Sequence, residues 1–108
     1  MKTIRQGDLL FIPIPADQAQ ATLERAKPRT SGIVQEGEAT GHHHRVAVLE
    51  DAEVLEVWNG LYVRVGPNGV SIMHEEHGPV RLEPNTTYTV HRAREFDYLT
   101  ELATRVRD

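Results

Sequence analysis

Apolar residues in this chain fall mostly in short runs that alternate with polar ones, the period-two pattern of half-buried strands. Leu9-Leu10-Phe11-Ile12-Pro13-Ile14 is the first run, preceded by a Gly7-Asp8 turn and closed by Pro15. Pro13 has no amide hydrogen for a ladder, which predicts an edge position or an irregular end. Ile33-Val34-Gln35 is a second, shorter candidate. From His42 the alternation resumes: His42, His44, Val46 and Val48 share one face, and His43, Arg45 and Ala47 the other. Val54 to Trp58, Leu61 to Val65 and Val70 to His74 read as a meander. Asn59-Gly60 is a two-residue hairpin signal, and Gly66-Pro67-Asn68-Gly69 turns the chain again. Pairing through these turns aligns Val54, Glu56, Trp58, Leu61, Val63, Val65, Val70, Ile72 and His74 on one face, with Glu56 the misfit expected near a sheet edge. Val80 to Leu82 and Tyr88 to Arg92 are the last strand candidates, joined across Glu83-Pro84-Asn85-Thr86; Tyr88, Val90 and Arg92 share a face and His91 points the other way.

Two segments break this pattern. Over Ala16 to Lys27, Asp17 is a candidate N-cap with Gln20 three residues on, but Leu23 is the only large apolar side chain. A short surface helix or mobile loop is therefore expected. Asp97 can cap a C-terminal helix in which Leu99, Leu102, Ala103 and Val106 fall at i, i+3, i+4 and i+7. The expected fold is mainly β: one domain over residues 1–108, a small antiparallel β-barrel or sandwich with a C-terminal helix.

Composition narrows the partners. A chain of 108 residues supports one modest core. Twelve basic against 16 acidic side chains give −4, and protonating all six histidines would bring the charge to about +2. A mildly acidic surface argues against a broad phosphate-tracking footprint, so nucleic acid is not the favoured partner. There is no cysteine, hence no disulfide and no thiolate ligand. No apolar run has the length of a membrane span, and MKTIRQGD lacks a signal peptide's apolar core, which gives a cytoplasmic, membrane-free expectation. A G-x-x-x-x-G-K phosphate loop is absent, and Ser71 faces away from His74 by strand parity, so neither nucleotide chemistry nor a serine–histidine nucleophile is indicated.

Candidate chemistry concentrates in Gly41-His42-His43-His44-Arg45 and His74-Glu75-Glu76-His77. A His-x-His pair on one strand face sets its Cα atoms about 6–7 Å apart, which suits two ligands on one ion. His74 ends an inward face and His77 follows one turn later. His42, His44, His74 and His77 are therefore candidate ligands for a divalent transition metal (Zn, Fe, Mn or Ni), with Glu50, Glu75 and Glu76 completing or orienting the set. His43 is read as a bystander. Arg92 and Arg94 are candidate anion contacts, although a solvated, salt-bridged strand end explains them more simply. Two other readings stay open: a metal-free acid/base phosphodiesterase using two histidines, and a non-catalytic regulatory module that binds nucleic acid or protein.

Gly37-x4-His42-x-His44 followed by Glu50 resembles the first cupin motif, and Leu82-Glu83-Pro84-Asn85 before Tyr88 is similar to the proline turn of the second. The resemblance implies a small β-barrel whose mouth holds a metal through two histidines, a glutamate and a third histidine. Thr89 stands where the second motif's histidine would fall, so His74 or His77 must replace that ligand. Over most of the chain, Gln6-Gly7-Asp8, Gly37-Glu38-x-Thr40-Gly41-His42-x-His44-Arg45 and His74-Glu75-Glu76-His77-x-Pro79 also resemble small bacterial and phage proteins of unassigned function. That second resemblance supplies no reaction. The expectation is a metal-binding, cupin-like protein, with hydrolysis or isomerisation of a small molecule as the reaction classes open to it. A homodimer is compatible with the small core and the striped tail.

Overall fold

The computed structural model describes residues 2–36, 42–58 and 60–93. Their strands are β1 (Ile4–Gln6), β2 (Leu9–Ile14), β3 (Lys27–Arg29), β4 (Ile33–Glu36), β5 (His43–Val46), β6 (Ala52–Val57), β7 (Gly60–Val65), β8 (Val70–Met73), β9 (Val80–Leu82) and β10 (Thr87–Arg92). They form two antiparallel sheets, one ordered β1-β2-β10-β7-β6-β3 and the other β4-β5-β8-β9. The sheets are not closed into a barrel, so of the two expected architectures the open one is found. β1, at the rim of the larger sheet, lies beside β9 at the rim of the smaller one.

Between the sheets, Leu9, Phe11, Val54, Val63, Val65 and Tyr88 of the larger meet Val34, Val46, Val70, Ile72 and Leu82 of the smaller. The expected three-strand meander is not formed, because β8 pairs with β5 and β9 in the smaller sheet and so places Val70 and Ile72 across the core from β7. Within the β6–β7 hairpin the expected face is real for Val54, Val63 and Val65. Its hairpin end is not: Val57 pairs with Gly60, so Trp58 enters the turn and is 96% exposed. Glu56 is exposed and ion-paired with Arg29 of β3, the outermost strand, which places it one strand in from the edge, near the sheet edge as expected. Pro13 is accommodated because the three residues of β1 reach only Leu9 to Phe11, leaving that side of Pro13 free of a ladder.

A short helix is found where one was expected, α1 (Ala16–Leu23), but its cap and its packing differ from the expectation. Pro15 occupies the N-cap without a side-chain cap bond, and Asp17 lies in the first turn, where its charge still favours the helix dipole. Nor is α1 a loose surface element. The central strands carry apolar residues at both parities, Val54 beside Leu55 and Tyr62 beside Val63, so the outer sheet face needs a cover. Ala19 and Leu23 supply it by packing on Ile14, Leu55 and Tyr62. Burying one such leucine contributes about 1.5–3 kcal/mol, enough to hold a two-turn helix in place. The helix expected from Asp97 onwards lies outside the described residues. Among the described residues no helix is long and apolar enough to cross a membrane.

Candidate functional site

The register of β5 against β8 brings the two histidine clusters together. Arg45 pairs with Met73 and Val46 with Ile72. Carried past the end of the ladder, that register sets His44 opposite His74, His43 opposite Glu75 and His42 opposite Glu76. The side chains follow it. The His44 and His74 rings lie 4.4 Å apart between centroids, and Glu76 Oε1 is 3.4 Å from His42 Nδ1. Glu75 accepts the His43 amide hydrogen at 2.8 Å and an Arg45 guanidinium hydrogen at 2.9 Å. Period-two alternation therefore sends histidines inward and the Arg45–Glu75 pair outward.

His74 is the hub of the cluster. Its ring lies 5.8 Å from His42, 4.4 Å from His44 and 4.7 Å from His77. The rings of His44 and His77 are nearly parallel, 6.4 Å apart. His74 Nδ1 accepts the amide hydrogens of Glu76 at 3.0 Å and His77 at 3.3 Å, which curls the chain back after β8. His77 then reaches Gly7 in the β1–β2 turn, where φ is +58° and no side chain intervenes.

His44 is buried, and its nearest polar neighbour is Gln6, which is 2% exposed. Gln6 Oε1 lies 2.8 Å from His44 Nδ1, while Gln6 Nε2 donates to the Ile72 carbonyl at 2.8 Å and the Gly78 carbonyl at 3.0 Å. Burial, followed by the positive charge that His74 and His77 can carry, lowers the His44 pKa from 6.5 to about 4. His74 is lowered too, by burial first and His77 second. The Glu75 carboxyl lies below its ordinary range, chiefly through the His43 amide.

Of the residues singled out from sequence, His42, His44, His74, His77, Glu75 and Glu76 gather at this end of the smaller sheet. Glu75 is engaged on both oxygens from the outer side. Glu50 is exposed in a 3-10 turn, Leu49–Asp51, beyond the opposite end of β5 from His42. The glutamate of the cupin-type ligand set is therefore not brought to the histidines. His43 faces away from the other rings, with its Nδ1 buried and unpaired. Arg92 is half-buried opposite Leu9 on β10, and Arg94 lies outside the described residues. Sequence reasoning passed over Gln6. Its signal was a polar side chain two residues after Ile4, at the parity of an inward-facing strand position.

The donor set is chemically suited to a borderline metal, whereas the donor atoms are not gathered for one. Among the described residues, no three His, Asp or Glu side chains form a group ready to hold an ion. The arrangement around His74 supplies a reason. With Nδ1 accepting two amide hydrogens, a neutral His74 carries its proton on Nε2 and has no second lone pair to offer.

A family model described as a domain of unknown function (DUF8820) matches residues 5–93, which takes in every strand above except the first residue of β1. No curated protein and no solved structure matches the chain.

Proposed function

This chain belongs to the DUF8820 family, a membership that brings no reaction with it, and we propose from its own residues that it is a metal-binding protein. The observation that carries this reading is the convergence of four imidazoles from two distant segments. An ion about 2.0–2.1 Å from each of four tetrahedrally arranged ring nitrogens would hold ring centroids about 5 Å apart. The separations here fall on both sides of that figure, from 4.4 to 6.4 Å. His42, His44, His74 and His77 would hold the ion. Glu76 beside His42 Nδ1 would favour the proton on that nitrogen, leaving Nε2 for the ion. His74 would join by giving up its bonds to the Glu76 and His77 amides and turning its ring. Imidazole donors suit Zn, Ni or Fe, with Mn the least favoured of the metals considered.

A pKa of about 4 for His44 supports a ligand over a general base. A base works best with a pKa near the operating pH, whereas a ligand must simply be neutral. This weighs against His44 as the base of a metal-free phosphodiesterase. When bound, the ion would supply Lewis acidity of the kind used to hydrolyse or isomerise small molecules. Elemental analysis of untagged protein, purified without chelator, tests the proposal. One equivalent of transition metal per chain is expected, and it should be lost in the His42→Ala, His44→Ala double variant. Metal-free wild type after incubation with Zn, Ni, Fe and Mn salts, or full retention by the double variant, would sink it.

A further inference from the structure

Gln6 lies on the other sheet from His44 and carries no metal-ligand chemistry of its own, yet its amide has only one orientation that satisfies its surroundings. Both hydrogens of Nε2 are used, one on the Ile72 carbonyl and one on the Gly78 carbonyl. Turning the amide over would set Oε1 against two carbonyl oxygens and lose both bonds. Oε1 therefore faces His44, and since it can only accept, His44 Nδ1 must carry the hydrogen that bridges the 2.8 Å between them. The other nitrogen, Nε2, then keeps its lone pair.

We infer that Gln6 is a positioning residue that fixes His44 as the Nδ1–H tautomer and so makes Nε2 its only ligating atom. The inference rests on the reading of the histidine cluster as a metal site for its functional meaning, although the tautomer itself does not. The three partners of Gln6 come from two segments distant in sequence: His44 on β5, and the Ile72 and Gly78 carbonyls on either side of the 74–77 turn. One side chain thus sets the ring identity of His44 and ties down the exit of the segment that carries His74 and His77. Metal-binding histidines commonly donate their second ring hydrogen to such a partner, which fixes the ring and strengthens the ligand. A carboxamide does this without adding negative charge.

Long-range nitrogen–proton correlation spectra of the metal-free full chain at pH 7 read the tautomer directly. The expected result is a protonated Nδ1 and an unprotonated Nε2 on His44; the opposite pattern overturns the inference whatever the protein does with metal. Two variants separate positioning from packing. Gln6→Leu removes the acceptor and both donors, and should give a mixed or reversed tautomer with zinc affinity reduced about 10–100-fold. Gln6→Glu keeps an acceptor for His44 while losing the donors to Ile72 and Gly78, and should retain the Nδ1–H form. Zinc affinity in a folded Gln6→Leu within threefold of wild type would overturn the positioning role. If wild type shows the expected tautomer and binds none of the metals tested, the metal reading fails and the assignment of the Gln6–His44 pair stands.

Discussion

Gly7 and His77 are in close contact: a Cβ at position 7 would lie 2.5 Å from His77 Nε2, so the ring would have to move to admit it. Position 7 also has φ of +58°, a conformation that costs an L-residue roughly 1–2 kcal/mol. Gly7→Ala should therefore destabilise the fold by at least about 1 kcal/mol and push His77 from its place beside His74. A lower urea midpoint together with weakened zinc binding is the expected pair of results. Gly78→Ala is the control, because a Cβ there meets nothing within 4 Å and should leave the midpoint nearly unchanged.

Acid should loosen the metal-free protein earlier than its carboxylates alone would require. His44 titrates near 6.5 in the unfolded chain and near 4 in the folded one, so unfolding takes up a proton between those values. The stability this neutral imidazole contributes is complete above pH 6.5 and declines as the pH falls towards 4. Glu75, held charged by the His43 amide, adds a loss of the same sign below its ordinary value of 4.5. Urea midpoints at pH 7, 5.5 and 4.5 should fall in that order. They should fall less steeply in His44→Asn, whose amide can still donate to Gln6. A midpoint independent of pH across this window would contradict the assignment of a buried neutral His44.

Docking of α1 can be measured through Leu23. Leucine-to-alanine changes at buried sites cost about 2–5 kcal/mol, and this one sits under a short helix at the sheet surface, so about 2 kcal/mol is expected. A chain of this size should then melt lower by around 10 °C, at roughly 4–8 °C per kcal/mol. An unchanged melting temperature would mean that the helix contributes nothing to the outer sheet face.

The Arg29–Glu56 pair should matter much less. Both side chains are partly open to solvent, and exposed ion pairs contribute about 0–1 kcal/mol. Glu56→Gln should shift the urea midpoint only slightly, with a smaller shift still in high salt. A loss of several kcal/mol would show that Glu56 has a second role.

What sequence could reveal here follows the range of the interactions involved. Strand parity is local, and it correctly separated His42 and His44 from His43 and found the inner face of the β6–β7 hairpin through Val54 and Val63; that Ile72 meets this face from the other sheet depends on long-range pairing that parity does not carry. The outer core was harder to see because Leu55 and Tyr62 look like solvent-face residues until α1 is placed over them. The hairpin at Trp58 was misplaced by one residue because Asn59-Gly60 is a turn signal whichever of two registers is used. The role of Gln6 was hidden for another reason. Its importance lies in partners at 44, 72 and 78, and nothing near position 6 in the sequence announces them.

The strands that hold the histidines are separated in the chain by β6 and β7, a hairpin that belongs to the other sheet. That separation divides the chain into lengths that can change and lengths that cannot. Residues added at the β6–β7 hairpin end or in the turn at 66–69 would lengthen a loop and leave the ladder between β5 and β8 as it is. A single residue added within β5 or β8 would turn His44 or His74 to the opposite side, because side chains reverse with each step. Related chains of quite different length could therefore retain the same cluster, while one of identical length with a compensating insertion and deletion could lack it. Counting residues from Val46 back to His42, and from Ile72 on to His77, is a better guide to which of them keep it than overall similarity.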